Sequence, residues 1–203
     1  MRRRVIILSR LLCYNSDMMK LHIINDYKSI YPQLRGKDLT DALIRDCLGR
    51  EDAVIERTDK GKPYVRLTDD DPCGAPFISV SHSEDLFALL VSDREAGLDI
   101  QHARNAKTNR IAARYFTAEE AEQAAADGTS NRFFEIWTRK EALSKYVGTG
   151  LEHIMQKEQV LDRDDVRFTD LRLEDGCFCS VCTGTEEGDQ SDEIQISYGK
   201  QDR

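Results

Sequence analysis

The sequence predicts an α+β chain made of two lobes that meet near residue 100, residues 1–100 and 101–203. Three observations support this. Short apolar or alternating runs bounded by turn residues fill the first half, helical spacing takes over after Gln101, and alternating runs return toward the end. A chain of 203 residues can bury a core, either as one domain or as two small, closely joined lobes.

Residues 1–16, MRRRVIILSRLLCYNS, begin like a signal peptide. Arg10 interrupts the apolar run and no small-residue cleavage site follows, so the segment reads as a first β-strand of a cytoplasmic protein. LTDALIRDCLG, residues 39–49, spaces Leu39, Ala42, Leu43 and Cys47 as one face of a helix. Residues 53–57 form a short strand, and TDKGKPY after them is a turn. FISVS (77–81), LFALLVS (86–92) and GLDIQ (97–101) read as three strands of one largely antiparallel sheet.

Beyond Gln101, Thr117 and Glu120 form a capping box that opens a helix over 117–126, and a longer helix over about 131–147 ends at Gly148. Strands follow at about 165–173, 177–183 and 193–198. Cys177, Cys179 and Cys182 lack the second ligand pair that a structural zinc site needs, and their alternation suits a strand carrying free thiols, as expected in a reducing compartment.

A net charge of −8 argues against nonspecific binding to nucleic acid or to anionic membranes, since both need a cationic field. No window reaches the roughly 18 apolar residues of a membrane span, and a monomer is expected.

Chemistry concentrates in a few stretches. In GLDIQ, Leu98 and Ile100 face the core while Asp99 and Gln101 project together on the other side, either as a half-site for Mg²⁺ or as a solvated strand face. In WTRKEALSKYVGTGL (137–151), Trp137, Glu141, Ser144 and Lys145 share one stripe. Glu141 and Lys145 are either a surface i,i+4 ion pair or a partly buried acid and base that need a ligand. GKPY puts Lys62 on a turn, and SVSHS puts Ser81 and His82 at a strand end, where an anion could be held. Arg104, Lys107, Arg110 and Arg114 form a cationic helical face on an acidic protein, either solvated or a dock for an acidic partner.

Taken in order, GKPY, FISVSHS, GLDIQ, RYFTAEE and WTRKEALSKYVGTGL closely resemble the larger, single-chain class of 4′-phosphopantetheinyl transferases, over about residues 39–160. The resemblance implies a pseudo-dimer of two similar lobes, each a small antiparallel sheet packed with helices, with coenzyme A in the cleft between them. It implies transfer of the phosphopantetheine arm to a serine of an apo carrier protein of nonribosomal peptide, polyketide or fatty-acid synthesis, with release of 3′,5′-ADP. By position, Asp99 and Glu141 match the Mg²⁺ ligands, Lys145 the lysine near the α-phosphate, and Lys62, Ser81 and His82 the groups that hold the 3′-phosphate. Glu141 is the expected base, and Mn²⁺ could replace Mg²⁺.

One position departs from the pattern. Gln101 stands where the family usually has a glutamate, so the third metal ligand would be an amide oxygen or a water, and a noncatalytic homologue that binds coenzyme A or a carrier is the alternative reading. Arg35 or Lys37 would supply the basic residues that precede the first helix.

Overall fold

The structure, a computed structural model, describes residues 18–66, 74–103, 108–155, 157–174, 176–185 and 193–199. It is α+β, with small sheets packed by helices, and it divides into two compact units: Met1–Arg94 with Ser191–Arg203, and Glu95–Gln190.

The first unit holds β1 (Met18–Asn25), α1 (Tyr27–Ile30), α2 (Gly36–Leu48), β2 (Val54–Arg57), β3 (Pro63–Arg66), β4 (Phe77–Ser83) and β5 (Leu86–Ser92). The last described strand, β9 (Glu193–Gly199), also belongs to it, giving a four-stranded sheet in the order β4-β5-β1-β9. β4, β5 and β1 pair antiparallel, while β9 runs parallel to β1 with Lys20 opposite Gln195. β2 and β3 form a separate hairpin.

α2 follows from its spacing. Leu39, Leu43, Ile44 and Cys47 turn to one side and are buried with Ile24, Ile78, Phe87, Leu89 and Val91. It stops at Gly49, whose left-handed backbone lets its N–H reach the Arg45 and Asp46 carbonyls.

The second unit holds β6 (Ala96–Gln101), α3 (Thr108–Tyr115), α4 (Ala118–Ala126), α5 (Asn131–Val147), α6 (Leu151–Ile154), β7 (Val166–Arg172) and β8 (Phe178–Gly184). Its sheet has the order β6-β8-β7, antiparallel throughout. Apolar residues of α3, α4 and α5 form one core with Val166, Phe178 and Cys182 of that sheet. The capping box at Thr117 and Glu120 is present, with both of its hydrogen bonds formed. Cys177, Cys179 and Cys182 are buried thiols, Cys177 just before β8 and the other two on it, and burial pushes the Cys182 thiol up to about 12, which makes it inert.

Two expectations change. β6 does not extend the β4-β5 sheet. β5 takes β1 as its second partner, while β6, buried along nearly its whole length, opens a new sheet beside β8. Residues 1–16, read from sequence as the first strand, lie outside the described residues, and the first described strand is β1, which the sequence reading did not single out. In MKLHIIN, Lys20 and His22 disguise an interior strand, and burial on both faces only makes sense once the neighbours β5 and β9 are known.

No described helix is long and apolar enough to cross a membrane.

Candidate active site

The site of interest is the face of β6 that meets α5. Strand alternation sends Gly97, Asp99 and Gln101 toward the helix, and contact there is very close: a Cβ on Gly97 would lie 2.0 Å from the Ala142 carbonyl oxygen. Only glycine permits that approach. It brings Asp99 under the second half of α5, where Lys145 donates from Nζ to Asp99 Oδ1 at 2.9 Å and to the Leu98 carbonyl at 2.8 Å. Asp99 is 2 % exposed, which excludes the solvated-face reading of GLDIQ. The ion pair Lys145 makes joins residues 46 apart, so the stripe on α5 serves a tertiary contact and not merely a surface turn.

Gln101 donates from Nε2 to Asp99 Oδ2 at 3.1 Å. Glu141 lies within electrostatic reach of both Asp99 and Lys145. Its carboxyl is pushed up to about 7, first by burial and second by the Asp99 charge, with Lys145 pulling the other way. An acid whose ionisation is resisted by burial and by a neighbouring carboxylate marks a site short of positive charge. The donor set of Asp99, Glu141 and the Gln101 amide consists of hard oxygens, which fits a divalent cation of the Mg²⁺ kind. Among the described residues no cluster of three or more His, Cys, Asp and Glu side chains could hold a metal, in keeping with an amide at position 101.

The rest of α5 secures this arrangement. Trp137, half-buried, stacks on Phe133 at 5.8 Å and meets Tyr115 edge-on at 6.0 Å. Gly148, with positive φ, ends the helix and its N–H bonds the Ser144 carbonyl at 2.9 Å. Lys140 forms a 2.8 Å ion pair with Glu120, and both side chains are 0 % exposed. The sequence reading missed two features here, the close approach at Gly97 and the Lys140–Glu120 pairing. Gly97 left a signal in the glycine that opens GLDIQ, whereas the Lys140–Glu120 pair left none, since its members are 20 residues apart.

The anion-binding candidates belong to the first unit. Lys62 sits on the β2–β3 turn, which is closed by Thr58 N–H to the Lys62 carbonyl at 2.9 Å and by Gly61 at positive φ. Ser81 and His82 are adjacent on β4, so alternation puts Ser81 inside and His82 outside, where its ring is 6.2 Å from Tyr27. Their side chains therefore do not converge on one face. Arg57, five residues before Lys62, pairs with Asp41 at 2.6 Å and leaves Nη1 buried without a hydrogen-bond partner. Arg35 is exposed and donates to the Pro32 and Leu34 carbonyls, and Lys37 is exposed on α2.

Of the basic face, Arg110 and Arg114 are exposed one turn apart on α3, with Arg114 5.1 Å from the Tyr115 ring centroid. Arg104 and Lys107 lie outside the described residues.

Comparison with known proteins bears on the same segment. The chain is 29% identical over 147 residues to the 4′-phosphopantetheinyl transferase psf-1 of Bacillus pumilus, covering 70% of this chain and 60% of that protein. It is 29% identical over 133 residues to a 4′-phosphopantetheinyl transferase of Bacillus subtilis, covering 63% and 56%. It is 36% identical over 133 residues to the 4′-phosphopantetheinyl transferase AcpT of Salmonella typhimurium, covering 63% and 65%. The match thus spans 56% to 65% of the length of these curated relatives. The profile of the 4′-phosphopantetheinyl transferase superfamily matches residues 95–197, just over half of the chain and inclusive of both β6 and α5, and on that match the protein belongs to this superfamily.

Proposed function

We propose that this chain transfers the 4′-phosphopantetheine arm of coenzyme A to a serine hydroxyl of an apo acyl or peptidyl carrier protein, releasing 3′,5′-ADP. The observation that supports the reading is the Lys145–Asp99 ion pair across the α5–β6 contact, with Glu141 within electrostatic reach of both.

The reaction needs a nucleophile deprotonated, a pyrophosphate neutralised and a leaving group stabilised. A divalent cation held by Asp99 and Glu141, with the Gln101 amide beside them, would neutralise nonbridging oxygens of the pyrophosphate; Mg²⁺ and Mn²⁺ both suit oxygen ligands. Glu141, whose carboxyl holds its proton far more readily than an ordinary glutamate, accepts the proton of the carrier serine. The serine Oγ attacks the phosphorus that bears the pantetheine arm, the bond from that phosphorus to the ADP oxygen breaks, and Lys145 offers its Nζ to the charge that develops there.

In the first unit, Lys62 and His82 hold the 3′-phosphate, Ser81 supports that strand end from within, and Arg57 adds a cation close to the Lys62 turn. The exposed Arg110 and Arg114 of α3 meet the acidic carrier, and Arg104 and Lys107 would extend that face. The protein acts as a cytoplasmic monomer, and its net charge of −8 disfavours nucleic acid and anionic membranes.

The test is a mass spectrum of an apo carrier protein before and after incubation with the chain, coenzyme A and Mg²⁺. The carrier gains the mass of one phosphopantetheine group. A noncatalytic coenzyme A-binding homologue, suggested by Gln101 in place of an acid, instead gives heat on calorimetric titration with coenzyme A and no mass change on any carrier.

A further inference from the structure

Ser180 lies in the centre of β8, directly opposite Asp99 of β6 on one side and Asp170 of β7 on the other. Residues paired in this way point to the same sheet face. Asp99 reaches Lys145 of α5, and Asp170 reaches Arg139 of α5 at 2.9 Å, so that face is the one under the helix. Ser180 is 0 % exposed, and its Oγ has no hydrogen-bond partner. Buried hydroxyls are nearly always bonded, and one left unbonded in a native site calls for an explanation. Its surroundings supply one. Each flanking carboxylate is held by a cation from α5, and Asp99 also accepts from Gln101, so both acids are drawn away from the serine by other donors.

We infer that Ser180 is a positioning residue for Asp99, its hydroxyl donating to the Asp99 carboxylate when that carboxylate turns from Lys145 to a divalent cation. The inference rests on the reading of Asp99 as a metal ligand and adds a residue to it. A carboxylate that exchanges a lysine for a cation needs a second donor to fix its new orientation, and such supporting donors tune affinity without touching the ion. Ser180 is available for this on geometric grounds: it is next to Asp99, fully buried, and uncommitted.

Mn²⁺ binding in the presence of coenzyme A, followed by electron paramagnetic resonance, tests this on the full chain, with thermal unfolding measured without added divalent ion. Ser180→Ala is expected to weaken Mn²⁺ binding about tenfold while the melting temperature without divalent ion stays level or rises, because an unbonded buried hydroxyl has been removed. Ser180→Cys, which fills the site with a poor donor, is expected to shift Mn²⁺ binding in the same direction. Mn²⁺ affinity unchanged in both variants, while Asp99→Ala abolishes binding, would overturn the role of Ser180 and leave the metal reading standing. A lowered melting temperature with unchanged Mn²⁺ affinity assigns Ser180 to packing and also overturns it. No Mn²⁺ binding by the unaltered chain would remove both.

Discussion

Helix α5 carries a buried lysine, Lys140, and five residues on a half-buried one, Lys145, and their surroundings differ. Lys140 pairs with Glu120 and also donates to the Glu158 carbonyl at 2.7 Å, while Glu120 accepts from the Thr117 and Val160 N–H groups. Every charge in that cluster is compensated and closed to water. Lys145 pairs with Asp99 but is itself 27% exposed, with a second acid, Glu141, held close enough for the Asp99 charge to resist its ionisation. The first cluster is complete within the protein. The second leaves a half-buried acid whose ionisation is resisted, a strain that a bound cation would relieve.

The largest expected effect breaks the second cluster. Glu141→Ala is expected to lower phosphopantetheine transfer by about 10²–10⁴-fold, the range a positioned general base contributes. The melting temperature is expected to hold or rise, because an acid whose ionisation is resisted by burial and by the Asp99 charge is gone. Transfer rates and thermal unfolding of one preparation check both halves, and an unaffected rate removes Glu141 from the mechanism.

The reverse pattern is expected at the first cluster. Lys140→Met leaves the Glu120 carboxylate buried and uncompensated, which costs about 3–5 kcal/mol in unfolding free energy. Transfer per folded molecule is expected to be unchanged. Urea unfolding measures the loss, and Glu120→Gln added to Lys140→Met is expected to recover part of it, because the amide still accepts a backbone hydrogen bond without carrying charge.

The two clusters were unequally visible in the sequence. α5, the capping box at Thr117 and the turn at Gly148 follow from local spacing, so they could be read directly. Asp99, Glu141 and Lys145 stood out because side-chain alternation in a strand and the 3.6-residue period of a helix each placed polar groups on one face. The pairing of Lys140 with Glu120 did not, since a buried pair whose members come from two helices has no local pattern. Nor did the partner of Lys145: spacing alone suggested Glu141 at i−4, whereas the close packing that Gly97 permits brings in Asp99. β1 and its parallel pairing with β9 were hidden for a similar reason, as Met18 pairs with Glu193 across nearly the whole chain. Local propensity carries no record of such pairings.

The first unit offers a third kind of buried titratable group, one kept neutral. His22 on β1 is 8 % exposed, its Nδ1 lies 2.9 Å from Ser197 Oγ of β9, and burial, assisted by Lys20, lowers its pKa from 6.5 to about 4. Above pH 6.5 folded and unfolded chains both carry a neutral imidazole, and stability is full. As pH falls from 6.5 to about 4 the unfolded chain takes up a proton that the folded chain refuses, so stability is lost across that window, by about 3 kcal/mol in all. Denaturant titrations at intervals from pH 7 to 4 measure this, and His22→Gln is expected to remove most of the dependence.

The smallest effect concerns exposed charges. Arg110 and Arg114 are the same kind of group as the lysines of α5, but they stand in water, where a single ion pair contributes only about 0.2–1 kcal/mol. If they steer an acidic carrier protein, Arg110→Glu and Arg114→Glu are each expected to raise the KM for the carrier by about two- to fivefold. kcat is expected to stay constant, as is the affinity for coenzyme A, and the difference from the unaltered chain is expected to shrink as ionic strength rises. That salt response separates steering from misfolding, because a disturbed core would lower kcat at every salt concentration. A KM that does not move in either variant returns this face of α3 to ordinary solvated surface, and leaves the chemistry assigned to α5 untouched.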